Sequence, residues 1–185
     1  ASVKELIALA KAKPGALNFS SGGIAGGPHL AGELFKAMAG INVVHVPYGG
    51  GNPGLNALAS GETQFMFSPG GLATPLVKAG RLRALAITSA QPSALFPGMP
   101  TVAASGVPDF ESVSIIGVFA PAKAPAALLN RVSQEVVRVL NRSEVKERLF
   151  MAGMEAAGSS PLQFASKVKS EMTKWGKVIK NAGIV

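Results

Sequence analysis

The chain has 185 residues, 48% hydrophobic and 15% charged, with a formal net charge of +8. This balance excludes a disordered protein, and the lack of any cysteine excludes a catalytic thiol, a cysteine-held metal centre and a disulfide framework. No apolar run approaches the roughly 18 residues of a membrane span, and no Arg-rich run interleaved with aromatics marks a nucleic-acid groove.

The chain opens on Ser2-Val3-Lys4-Glu5-Leu6, a helix start with no signal-peptide pattern before it. A unit then repeats: a short apolar run, a Gly-rich turn and an amphipathic helix. Residues 16–20 lead into the turn Ser21–Gly27 and a helix from Pro28, whose missing N–H is no loss at a first helical position. Leu30, Leu34, Phe35 and Met38 give this helix one apolar face, and Gly40 ends it. The second unit is a strand over 42–47, the turn Tyr48–Gly51, and a short helix from Asn52-Pro53 to Gly61, with Asn52 as N-cap. The third is a strand over 63–67, the turn Ser68–Gly71 and a helix ending at Gly80, followed by a fourth strand over 82–88.

Residues 91–112 are rich in Pro, Gly and Ser and read as a connector. A further apolar strand is expected over 113–120, then a long helix opened by Pro121-Ala122-Lys123-Ala124-Pro125 and running to about Leu140, and a second from Ser143 to Gly153. Residues 154–158 suit a short strand, and Ser160-Pro161-Leu162-Gln163 is a capping box for a last helix to Asn181. Residues 1–112 carry seven Lys/Arg against five Asp/Glu, and residues 113–185 eleven against five. The excess falls on Lys167, Lys169, Lys174, Lys177 and Lys180, at the spacing of a solvated helix face.

Strands alternating with helices imply parallel pairing and an α/β class, because crossovers are right-handed and need a helix. All three turns then leave one edge of the sheet, where open α/β sheets bind ligands. The sharpest of them is Ser20, Ser21, Gly22, Gly23, Ile24, Ala25, Gly26 and Gly27, followed by Pro28 and His29. Glycines let a ligand approach the backbone, and the helix behind aims free N–H groups at it. The turn therefore suits a carboxylate or phosphate; its plainer alternative is a tight turn with no ligand. It matches neither the phosphate-loop nor the dinucleotide fingerprint. Tyr48, Gly49 and Gly50 repeat the theme, as does Ser68 with the glycines after it. Tyr48 is expected either to line the pocket or to bond backbone.

Catalytic groups are scarce. His29 lies at a helix start and His45 in a strand among valines; both suit structural roles better than catalytic ones. No serine sits in a nucleophile elbow, and the turns lack acidic residues for acid/base work or a hard metal. No enzyme activity, cofactor or metal is expected. Trp175 suits a core position.

The stretches Lys4-Glu5-Leu6-Ile7, Lys13-Pro14-Gly15 and Pro28–Phe35 resemble the substrate-binding receptors of tripartite tricarboxylate transporters, the Bug-type receptors. So do Val46-Pro47-Tyr48, Lys78–Ala86, Pro100-Thr101-Val102, Phe119–Ala122 and Trp175–Lys180. The resemblance implies a two-domain, periplasmic-binding-protein-like fold that closes on a small carboxylate or amino acid and passes it to a membrane permease. It implies parallel or mixed strands with helices on both faces. By that resemblance residues 1–112 form the second, ligand-binding domain, and 113–185 the crossing strand and helices completing the first. The family's leader and the opening half of its first domain have no counterpart here, which leaves room for a homodimer through exposed or exchanged elements. Gly26 and Gly27 stand where the family offers hydroxyls, Ser68 where it offers an acid or amide, and Ser114, Ile115 and Ile116 where it offers an aromatic. Backbone amides survive all three departures. Two other readings stay open: an effector-sensing domain of a transcription regulator, and an enzyme for an anionic substrate.

Overall fold

The computed structural model describes residues 2–184. Helix α1 (Val3–Ala12) is capped by Ser2, whose Oγ accepts from the Glu5 N–H. Then follow β1 (Asn18–Ser21), α2 (Gly27–Ala39), β2 (Val44–Pro47), α3 (Gly51–Ser60), β3 (Phe65–Met66) and α4 (Gly70–Lys78). After a long irregular stretch come α5 (Ala126–Leu140), α6 (Ser143–Met151) and α7 (Pro161–Ala182).

The three strands pair in parallel in the order β2-β1-β3. Alternate residues of β1 face opposite helices. The Phe19 ring lies against Gly32 of α2, while Ser20 Oγ donates to the Gly54 carbonyl of α3. Because side chains alternate across a strand, α2 and α3 cover opposite faces of the sheet. The chain thus winds outward from β1 in one direction and then back across it in the other. The gap between the carboxyl ends of β1 and β3 is the switch point of such a sheet.

The core on the α2 face is aromatic. Phe35 meets Phe65, Phe67 and Phe110 edge-on at centroid distances of 5.9, 5.6 and 6.0 Å, a favoured geometry for ring quadrupoles. Val3, Ala10, Leu17, Ile41, Val43, Val102 and Val107 close the same cluster. Gly40 ends α2 in the left-handed conformation, its N–H bonding the Lys36 carbonyl, as its place after the last apolar turn implies.

Several expected elements differ. Residues 82–88 form no strand; only Ile87 bridges, in parallel, to Thr101. Residues 113–120 and 154–158 are likewise not strands. Val113, Ile115, Ile116, Val118 and Phe119 stay exposed. A strand is defined by a hydrogen-bonded neighbour, and none lies beside 113–120 among the described residues. Asn52 is not an N-cap: α3 begins at Gly51, with Gly50 in the cap position.

Two compact units divide the chain. One runs through Ser114 and takes in the residues from Val178; the other is Ile115–Lys177. Within the second, Ser160 and Gln163 exchange the two bonds of a capping box at 3.2 and 2.9 Å. Phe119 packs on Phe164, and Gly117 fits against the same Phe164 ring. Trp175 is half-buried, and its indole N–H donates to Glu171 at 2.8 Å.

Candidate ligand-binding site

Parallel pairing sends the turns after β1, β2 and β3 off the same sheet edge. The Tyr48 N–H donates to the Ser21 carbonyl at 3.0 Å, extending the ladder one step beyond the strands. Past it the first two turns touch. A β-carbon on Gly22 would stand 2.9 Å from the Gly51 nitrogen, and one on Gly51 would stand 2.5 Å from Leu72 of α4. Closeness to backbone requires glycine at Gly22, whereas Gly51 faces the tip of the Leu72 side chain. The third turn is tied in by the Gly51–Leu72 contact.

The helices behind these turns start bare. No side chain caps α2, α3 or α4, whose cap residues are Gly26, Gly50 and Pro69. A helix start leaves its first N–H groups without internal acceptors. Pro28 and Pro53 remove one donor each, so Gly27, His29, Gly51, Asn52, Gly70 and Gly71 are left to offer theirs. Helices α5 and α6 also begin without a side-chain cap. What distinguishes α2–α4 is that all three starts share one edge. The positive dipole ends and free donors there favour an anion.

The individual side chains sort into scaffold and surface. Ser20 is fully buried; its Oγ donates to the Gly54 carbonyl at 3.1 Å and accepts from the Thr63 hydroxyl at 3.2 Å. It fastens β1 to α3 and turns away from the edge. Ser21 is equally buried. Its Oγ donates to the Gly23 carbonyl at 2.9 Å, accepts from the Gly23 N–H at 3.2 Å and lies 2.7 Å from His45 Nε2. Gly23 and Ala25 take positive φ, at 148° and 60°, and Ile24 projects into solvent between them, 68% exposed. Gly26 and Gly27 lead into α2, and Ser114 Oγ lies near Gly27. Tyr48 donates its hydroxyl to Glu62 at 2.6 Å, and that bond to a carboxylate holds its pKa above the usual tyrosine value. Gly49 borders open space and Gly50 has φ 136°. Ser68 makes only a long bond, 3.3 Å, to the neighbouring Pro69 carbonyl. The structure therefore gathers Gly22–Gly27, Tyr48–Gly50 and Ser68 at one edge, with the Ser20 and Ser21 hydroxyls committed beneath it.

The two histidines form a feature that the sequence does not announce. Their rings stack at 3.7 Å with planes 10° apart. His29 is buried and its Nδ1 accepts the Ala25 N–H at 2.9 Å. Burial pushes the His29 pKa below the usual range, with Glu33 pulling the other way and Lys36 adding to the fall. His45 drops further, to about 4, through burial first, then His29 and then Lys36. The signal for this pair lies in the register. Phe19 pairs with His45, so His45 shares a face with Phe19 and Ser21, the face that α2 covers.

The 2.7 Å contact between Ser21 and His45 has the separation of a nucleophile and its base. It is not one. Ser21 has no exposed surface, its hydroxyl is shared with Gly23, and an imidazole held near 4 is a weak base at neutral pH. Among the described residues no group of three or more His, Cys, Asp or Glu can hold a metal, and no helix is long and apolar enough to cross a membrane.

The tripartite tricarboxylate transporter family receptor model matches residues 1–184. A Pseudomonas protein from the tcbD-tcbE intergenic region is 34% identical over 96% of this chain and 53% of its own length. Protein BugT of Bordetella pertussis is 28% identical over 98% of this chain and 56% of its own. A structure of an R. palustris protein with adipate superposes with a TM-score of 0.85 at 34% identity, covering 100% of this chain and 62% of that one. The chain thus spans a little over half the length of these relatives. The transcription-regulator reading gains no support from these relatives. By the family match and the shared fold, this chain belongs to the tripartite tricarboxylate transporter receptor family.

Proposed function

We propose that this chain supplies the carboxylate-holding wall of a periplasmic solute receptor that passes a small acid to a membrane permease. The observation that carries this reading is the convergence of three uncapped helix starts on one sheet edge, locked by the Gly22–Gly51 contact. Backbone N–H groups of the Gly22–Gly27 turn, other than those of Gly23 and Ala25, which already donate to Ser21 and His29, join those of the α2 start in holding one carboxylate, and each such charge-assisted bond contributes about 1.5–3 kcal/mol. Tyr48, Gly49, Gly50 and Ser68 border the same ligand.

Residues 1–112 act as the second domain of the receptor, and 113–185 as the returning part of the first. The exposed apolar stretch 113–120 favours that division, since it is a strand sequence lacking a neighbour. The lack of cysteine suits an oxidising compartment. Adipate, bound by a relative of 34% identity, makes a six-carbon dicarboxylate the first ligand to try. The test is calorimetry and thermal shift of the 185-residue chain against dicarboxylates of increasing length and a set of amino acids. Saturable stabilisation by a dicarboxylate is the expected result. No response from the folded chain to any of them sinks the reading.

A further inference from the structure

Beneath the first glycine turn lies a short relay. The Ala25 N–H donates to His29 Nδ1, the His29 ring stacks on His45, and His45 Nε2 meets Ser21 Oγ at the other end of the turn. Ala25 is one of two non-glycine residues with positive φ among the described residues, at 60°. An alanine there is strained, its Cβ crowding the following carbonyl oxygen, and needs something to hold it. The bond to His29 is a side-chain hydrogen bond that reaches it, and it comes from four residues ahead, on the helix that the turn feeds.

This bond specifies a protonation state. A backbone N–H can only donate, so Nδ1 must be bare and the neutral ring carries its proton on Nε2. A second proton would set two N–H groups against each other and place a cation on the face of another imidazole. The groups facing His29 are Glu33, whose carboxylate is 3.8 Å from Nε2, and Lys36 on its own helix, with His45 from β2. His45 faces His29 and Lys36 from α2 and Ser21 from β1. Glu33 already neutralises Lys36 at 2.8 Å.

We infer that His29, braced by His45, is a positioning residue that sets the Gly22–Gly27 turn through the Ala25 amide and lets that turn go when protons bind. The inference rests on the proposed role of the turn as the carboxylate site. It has a distinctive sign. A cationic imidazole under an anion site, acting by charge alone, would tighten binding in acid. A ring that must be neutral to hold the turn weakens binding in acid.

The experiment uses the 185-residue chain, adipate as the probe, and His29→Asn and His29→Ala. Asparagine places its Oδ1 near the position of Nδ1, so it keeps the acceptor and removes the titration. Amide exchange at Ala25 should be slow in the parent and in His29→Asn and fast in His29→Ala. Nitrogen NMR should show His29 bare at Nδ1 at neutral pH. Adipate affinity should fall roughly tenfold in His29→Ala and stay within about threefold in His29→Asn, as loss or retention of one buried hydrogen bond implies. From pH 7.5 down to about 5, the parent should weaken relative to His29→Asn, a comparison that cancels protonation of the ligand itself. Parallel pH profiles, tightening of the parent in acid, or a protected Ala25 amide in His29→Ala would each overturn the inference. If the parent does not bind adipate, the exchange comparison alone decides, and only the ligand reading is lost. If His29→Ala does not fold, His29→Gln replaces it, since its amide reaches towards Nε2 and leaves Ala25 without an acceptor.

Discussion

Gly22 and Gly51 meet backbone to backbone, so closely that a single added methyl on Gly22 would press to 2.9 Å from the Gly51 nitrogen and 3.0 Å from the Gly50 carbonyl carbon. Neither neighbour is a flexible side-chain tip that can swing aside. Gly22→Ala should therefore push the first two turns apart, lowering stability by about 1–3 kcal/mol as overpacking does. Dicarboxylate affinity should fall by more than the stability loss explains, because the donors of two helices no longer converge. Gly49→Ala is the control. Its β-carbon would enter open space, and its stability should stay within about 0.5 kcal/mol of the parent. Calorimetry and denaturant melts on both variants check this; equal behaviour would remove the close approach from the argument.

Ser20 separates the scaffold from the site. Its hydroxyl is wholly buried between the Gly54 carbonyl and the Thr63 hydroxyl. Ser20→Ala leaves both without that partner, and a buried unpaired polar group costs about 1–3 kcal/mol. The expected result is a lower denaturation midpoint with ligand affinity unchanged. Loss of affinity with intact stability would mean that this hydroxyl serves the ligand.

Tyr48 makes the same point at the surface. Its hydroxyl is held by Glu62 at 2.6 Å, so it is not free to meet a carboxylate. Tyr48→Phe should change dicarboxylate affinity by less than about threefold, below the worth of one hydrogen bond. A large loss in Tyr48→Phe, read by calorimetry, would show that the hydroxyl changes partners when ligand arrives.

Which of these features the sequence could disclose follows from their range. Glycine and proline act locally. Gly40 in the left-handed conformation after α2, and Pro28 inside its first turn, stand where their backbone chemistry requires. The capping box at Ser160 and Gln163 is likewise a contact over three residues. Strands depend on a neighbour supplied from elsewhere. Leu82–Thr88 and Val113–Ala120 have strand composition, yet within the described chain only Ile87 finds a bridging partner, at Thr101. The turns themselves were legible as glycine clusters at strand ends. The commitment of Ser20 and Ser21 to the interior was not, because it depends on which way β1 faces. The His29–His45 stack was hidden for a similar reason. It joins a helix to a strand across sixteen positions, and it appears only once the pairing of Phe19 with His45 is known.

The stacked pair also sets the acid stability of the fold. Both imidazoles titrate below the ordinary histidine range in the folded chain, His45 at about 4. The unfolded chain takes up these protons near pH 6.5. Between those values the unfolded state binds more protons, so stability rises with pH across that window and is level above it. Stability should thus be steady from pH 8 to about 6.5 and decline as pH falls from there towards 4. The limiting slope is about 1.4 kcal/mol per pH unit for each extra proton. The observed slope should be shallower, since His45 is only half-buried and water screens it. Carboxylates add their own loss near the acid end, so the informative quantity is the difference from His45→Asn, which removes one of the two titrating rings. Chemical denaturation at half-unit pH steps should show the variant with the flatter profile between pH 6.5 and 4.5. A steeper one would mean that the second imidazole eases the charging of His29.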